Sequence, residues 1–217
     1  MTSNRIAYLG NIFASAILAG LFIGIAGTVF LSIPATVVGA LFFGFGLLTI
    51  VNRGFKLFTG AIGYLAGQGS ATLSYLGEVV TIWAGNLAGC WLAAFAVSRT
   101  RVWEGLLPRV TAICETKSND GFLSLLILGI FCGMLMYLAV DTMRNTALDG
   151  IIRTVNLFLC VSVFILCGFE HCIADMFYFS LAQSWNAHNF LAILVITLGN
   201  TIGGMGLHYW KLHAAKQ

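Results

Sequence analysis

Glu170, His171 and Asp175 lie in the stretch Gly168-Phe169-Glu170-His171-Cys172-Ile173-Ala174-Asp175-Met176, inside a run that is otherwise apolar from Leu157 to Leu181. Carboxylates and imidazoles are costly in hydrocarbon, so side chains of this kind within such a run mark a path for a solute or a proton. A second stretch, Gly54-Phe55-Lys56-Leu57-Phe58-Thr59, also sets a Gly-Phe pair and a charge in a long apolar run. In both, a Gly-Asn pair follows 31 residues after the first glycine, at Gly85-Asn86 and Gly199-Asn200. One unit is used twice. Histidine, with an unperturbed pKa of about 6.5, changes charge on modest changes of surroundings, which suits His171 to hand on a proton. The alternative is a neutral core histidine bonded to Thr59 or to a backbone carbonyl. His188, His208 and His213 fall in a loop or near the C-terminal membrane edge. No two histidines have the spacing or partner helix that haem or zinc would need, so no metal or cofactor is expected.

The elements that must position these groups are membrane helices. Hydrophobic residues make up 59% of the 217-residue chain and charged ones 9%, far below the roughly 25% charged residues of soluble domains. An all-α membrane protein is expected, one transmembrane domain over residues 1–217. The length suits six spans of about 20 residues with short turns and no soluble domain. Eleven basic residues give a net charge of +3. They are scattered, which argues against nucleic acid as a partner. Little precedes the first apolar run and no small-residue cleavage site ends it, so that run is expected to stay as a span. Cys90, Cys132, Cys160, Cys167 and Cys172 read as small buried hydrophobes and Cys114, in a polar loop, as the exposed one.

The first span is expected over Ile6 to Leu31, with small residues through Gly20, Gly24 and Gly27 for close helix contact. A second, Val37 to Ala66, is too long for one straight helix and is interrupted from Thr49 to Lys56. Non-helical backbone survives at membrane depth only where protein or a water cavity covers it, so the interruption should line a site. The duller alternative is two short helices around a cytoplasmic turn. The third span, Gly77 to Val97, holds Asn86, whose amide needs internal partners and finds them in a broken neighbouring helix. Ser98 to Asp120 reads as the one substantial polar connection. Spans four (Gly121 to Val140), five (Ile151 to Leu181, broken at Gly168) and six (Phe190 to Trp210) repeat the design, with Gly129-Ile130-Phe131-Cys132-Gly133 matching Gly20-Leu21-Phe22-Ile23-Gly24.

Three spans with the middle one broken, used twice, must insert in opposite orientations, which puts the site where the broken helices meet. The repeats run over about residues 6–97 and 121–210. Each break starts a half-helix, at Leu57-Phe58-Thr59 and at Glu170-His171, and two positive helix ends favour an anion between them. The surrounding Phe42, Phe43, Phe45, Leu47, Leu57, Phe58, Phe164 and Phe169 make hydrophobic constrictions, which an anion crosses by shedding water or accepting a proton. Glu170 reads as an acceptor for backbone N–H groups at the half-helix start, and Asn86 and Asn200 as supports of the breaks. Basic residues at the termini and at Arg144 and Arg153 tip the termini towards the cytoplasm.

Gly168 to Met176, Leu57-Phe58-Thr59-Gly60, Gly85-Asn86-Leu87-Ala88-Gly89 and Gly199-Asn200-Thr201-Ile202-Gly203-Gly204 closely resemble the formate/nitrite transporter family, over all six spans. The resemblance implies an aquaporin-like protomer with spans two and five broken. It implies a homopentamer in a plasma membrane, of the bacterial inner membrane type, each protomer carrying a pore for a small monovalent anion. It places the family's central histidine on His171 and its pore threonine on Thr59. The outer constriction falls on Phe43 and Phe164, and the inner one on Leu47, Leu57 and Phe58. The loop lysine that attracts anions falls on Lys117. Three features depart from the family. Gly133 stands where an asparagine usually accompanies that lysine, Lys56 stands where an acidic residue usually precedes Leu-Phe-Thr, and the N-terminal amphipathic helix is expected to be missing. The expected function is a channel for weak-acid anions of formate or nitrite type, with hydrosulfide as the alternative in the same family. A membrane enzyme built on Glu170, His171 and Lys56 lacks a metal cluster or a polar substrate face. A non-transporting assembly subunit has no use for two broken helices.

Overall fold

The computed structural model describes residues 2–214, whose regular elements are helices. They are α1 (Thr2–Ser32), α2 (Thr36–Arg53), α3 (Phe58–Ala61), α4 (Thr72–Ser98), α5 (Trp103–Ser118), α6 (Phe122–Arg144), α7 (Gly150–Leu166), α8 (Cys172–Leu181) and α9 (Ala187–Ala214). Two 3-10 segments, Ile62–Gly67 and Gly69–Ala71, join α3 to α4. Five helices, α1, α2, α4, α6 and α9, are long and apolar enough to cross a bilayer, and α7 and α8 are shorter apolar helices. The chain is a multi-pass membrane protein. Phe42, Trp91, Leu159 and Leu198 are among the large apolar side chains left on its outer surface, where lipid is the solvent.

Packing pairs α1 with α4 and α6 with α9 most extensively. Small residues make this possible, because dispersion between close backbones replaces the hydrophobic effect in lipid. A Cβ at Gly89 would come within 2.1 Å of the Ile17 carbonyl oxygen, and one at Gly203 within 2.0 Å of that of Ile130. The equivalence of the two pairs differs from the sequence reading by one helical turn. Gly20 lies against the Asn86 carbonyl and Gly133 against that of Asn200, so Gly133 matches Gly20, and Gly129 matches Ala16. Small residues recurring every four positions give the same stripe in either register, and only the partner helix fixes it.

The breaks are built alike. Gly54 and Gly168 take φ of +69° and +67°, a left-handed conformation that glycine adopts without steric penalty. The amide of Phe55 reaches back to Ile50 O at 2.9 Å and that of Phe169 to Phe164 O at 2.8 Å. Gly54 and Gly168 add amide bonds to Val51 O and Ile165 O. This is the double hydrogen bond of a glycine-terminated helix, and it explains the repeated Gly-Phe pair. Asn52 and Arg53 belong to the last turn of α2, so the non-helical stretch is Gly54 to Leu57, shorter than expected. Beyond Ala61 the chain tightens into the 3-10 segment instead of continuing as an α-helix to Ala66.

The stretch from Ser98 to Asp120 is mostly helical. In α5, Leu106, Val110 and Cys114 form a buried face at four-residue spacing. Cys114 is therefore buried, against expectation, and Cys167, just past the end of α7, is the exposed cysteine. Burial pushes the Cys114 thiol up to about 11, against an opposing Ser184 hydrogen bond and with help from Asp175. Arg109 fastens α5 to the α1–α2 turn, donating to Phe30 O at 2.8 Å and to Ile33 O, with its guanidinium 4.3 Å from the Phe30 ring centre.

Candidate functional site

Two buried asparagines carry the breaks. Asn86, on α4, accepts the Phe58 amide at 2.9 Å through Oδ1 and donates through Nδ2 to Ala16 O at 2.8 Å and Lys56 O at 2.9 Å. Asn200, on α9, accepts the Cys172 amide at 3.0 Å and donates to Gly129 O and Glu170 O, both at 2.8 Å. Each carboxamide thus serves the first free N–H of a short helix and a carbonyl of the break before it. Left unpaired in the interior, these groups would each cost about 1–3 kcal/mol.

His171 caps α8. Its Nδ1 accepts the Ala174 amide at 3.1 Å, and its Nε2 lies 2.9 Å from Thr59 Oγ1. With Nδ1 accepting, the neutral ring carries its hydrogen on Nε2 and donates it to the Thr59 hydroxyl, whose own O–H is left for another acceptor. Both residues are buried. Phe164 stacks on the imidazole at 5.5 Å between centres, and Phe43 meets Phe164 edge to face at 6.0 Å and 89°. Leu47, Leu57 and Phe58 are also buried, Leu57 and Phe58 next to Thr59 along the chain.

Two cavities approach this core. One, of about 160 Å³, is lined by Leu47, Lys56, Leu57, Gly60 and Arg144, among others. The other, of about 220 Å³, is lined by Lys117, Phe164, Glu170, His171 and Asp175, among others. They share no lining residue; His171 lines the second, and its partner Thr59 sits in the chain between Leu57 and Gly60, which line the first. Lys56 is exposed at the first cavity, and its carbonyl is the one Asn86 holds.

At the second cavity Lys117 is paired with two carboxylates. Its Nζ contacts Glu170 Oε2 and lies 2.9 Å from Asp175 Oδ1. Burial works against the ammonium, but Asp175 and Glu170 outweigh it and raise the Lys117 pKa, so Lys117 is charged. Glu170 therefore accepts from Lys117, and not from the backbone N–H groups expected from the sequence, while its backbone carbonyl takes the Asn200 amide. Gly133 faces the Asn200 backbone, and a Cβ there would lie 2.3 Å from that carbonyl oxygen. Asp175 is the residue that sequence reasoning left without a role. Its signal was a carboxylate one turn into an apolar half-helix.

The formate/nitrite transporter family model matches residues 4–212. The nitrite transporter NirC of Salmonella typhimurium (strain LT2) is 33% identical, over 82% of this chain and 71% of that protein. The formate channel FocB of Escherichia coli (strain K12) is 28% identical, over 89% of this chain and 83% of that protein. Among solved structures, a pentameric formate channel with formate bound matches at a TM-score of 0.80 and 27% identity, over 96% of this chain and 98% of that one.

Proposed function

We propose that this chain, which belongs to the formate/nitrite transporter family, is a homopentameric channel for small monovalent weak-acid anions of formate or nitrite type. As a member of that family it is a membrane transporter and not an enzyme. In our reading α2 with α3 and α7 with α8 are the broken second and fifth spans of two inverted repeats, residues 6–97 and 121–210, in one aquaporin-like domain. The matching Gly-Phe terminations and asparagine bonds support this. The bacterial inner membrane is the proposed location.

The observation that carries the function is the buried Thr59–His171 pair, with His171 lining one cavity and the chain neighbours of Thr59 lining the other. An anion comes in from the Lys117 side or the Lys56 side, where an ammonium lines each cavity. Glu170 and Asp175 balance Lys117 and limit its pull to the cavity itself. Phe43 with Phe164, and Leu47 with Leu57 and Phe58, are the two gates that exclude hydrated ions. Between them the anion accepts hydrogen bonds from His171 Nε2–H and the Thr59 hydroxyl. A proton taken up on the way gives the neutral acid, which crosses where the ion does not.

The test is flux into proteoliposomes holding only this chain, with formate, nitrite and hydrosulfide in parallel. Formate or nitrite entry above the protein-free rate is expected. Entry of hydrosulfide alone would move the substrate within the family, and entry of none would overturn the reading.

A further inference from the structure

The His171 cap raises a question of proton supply. Nδ1 is occupied by the Ala174 amide, and an imidazolium has no lone pair for that bond. A ring held in this way offers a hydrogen bond more readily than a proton. The second cavity contains another acid. Glu170 and Asp175 share the single ammonium of Lys117, both carboxylate side chains are more than nine-tenths buried, that of Lys117 is 11% exposed, and Asp175 Oδ2 is buried without a hydrogen-bond partner.

Charge decides what this arrangement holds. The groups around Asp175 are Lys117 and Cys114 on α5, Glu170 and His171 at the break, Cys172 and Tyr178 on α8, and Cys132 on α6. Among them Lys117 alone is a cation at neutral pH. Two ionised carboxylates against one ammonium would leave a net negative charge in a low-dielectric interior, and buried groups in that position neutralise by taking up a proton. Two carboxylates held close likewise do not both ionise easily. The unpartnered Oδ2 of Asp175 is a place for that proton.

We propose that Glu170 and Asp175 together hold one exchangeable proton beside Lys117, and that this acid pair supplies the proton that accompanies the anion. The inference rests on the weak-acid channel reading above. In the step, the carboxyl O–H of the pair breaks and its proton bonds to the anion, giving the neutral acid. The pair, then fully ionised, takes back a proton from water in the cavity. Lys117 keeps its charge throughout and favours the ionised pair. The neutral acid passes His171 and Thr59 as a hydrogen-bond partner and releases its proton on the far side.

Asp175→Asn is nearly isosteric, keeps an oxygen for Lys117 and leaves one carboxylate against one ammonium. Two measurements on the reconstituted protein test the idea. Infrared spectra of the wild type in water and deuterium oxide at neutral pH should show a protonated carboxyl, and the variant should lose it. In proteoliposomes, the protons entering per formate should fall about a hundredfold in the variant, the lower end of the range for a lost proton donor. If Asp175→Asn fails to assemble, Glu170→Gln is read in the same way. A wild type without the infrared signal, a variant that keeps it, or a variant with unchanged protons per formate overturns the proposal. The spectra need no transport, so a wild type that shows the signal but carries none of formate, nitrite and hydrosulfide refutes the channel reading instead.

Discussion

Thr59 Oγ1 lies 2.9 Å from His171 Nε2, and the Ala174 amide on the opposite ring nitrogen fixes which partner donates. A residue of the short helix after the first break and a residue of the second break thus meet in one hydrogen bond, with apolar side chains around it. Replacing the imidazole removes the donor that an anion would meet there. His171→Phe is expected to lower formate flux by about two orders of magnitude, the scale of a positioned donor. Thr59→Val should cut flux less, since Nε2–H remains. Flux in proteoliposomes checks both; wild-type rates in His171→Phe would leave it a core histidine.

Asn86 and Asn200 each satisfy one amide and two carbonyls. Leucine at either position orphans those groups at about 1–3 kcal/mol each. Less folded oligomer and a lower unfolding temperature in detergent are expected for Asn86→Leu and Asn200→Leu alike. Size-exclusion profiles and melting curves matching the wild type would count against this role.

Phe164 stacks on His171 and meets Phe43 edge to face, so its removal opens the layer above the imidazole. Phe164→Ala is expected to admit bulkier anions such as acetate, and to cost about 3–5 kcal/mol of stability as a core truncation. Leu57→Ala should do the same on the other side, more mildly. Unchanged size selectivity in a flux series would place the gates elsewhere.

Lys117 holds two carboxylates as well as facing a cavity, and the two roles can be separated. Lys117→Met alone strands the carboxylates, and breaking a buried pair in this way costs about 3–5 kcal/mol. Adding Glu170→Gln and Asp175→Asn should restore thermal stability. If Lys117 also draws anions in, the triple variant captures them more slowly at low anion concentration than the double variant Glu170→Gln with Asp175→Asn, which keeps the ammonium. Equal capture by the two variants would leave Lys117 as a clamp only.

The glycines divide by what they avoid. Gly54 has open space around a Cβ and needs only its left-handed φ, whereas a Cβ at Gly20 would sit 2.3 Å from Asn86 O. Gly54→Ala should cost about 1–2 kcal/mol, the left-handed penalty. Gly20→Ala should cost more, because it drives α1 from α4 and disturbs the asparagine. Equal melting temperatures in the two variants would refute this ordering.

What the sequence determined by itself were features written in local pattern. A Gly-Phe pair inside an apolar run marks a helix end that needs a left-handed glycine, and Gly54 and Gly168 both take it. An asparagine at a fixed distance beyond marks the amide such a break requires, and the composition of the runs dictates a membrane. The register of α6 on α9 was not legible, because small residues at every fourth position fit Gly133 to Gly20 or to Gly24 equally well. Helix α5 was hidden by its charges, although Leu106, Val110 and Cys114 carry the helical period. The tertiary structure alone joined Lys117 to Glu170 and Asp175 and Thr59 to His171, since those residues lie 53, 58 and 112 positions apart. A charge in the sequence declares that it needs a partner; only the packing of α5 on α8 decides which one it gets.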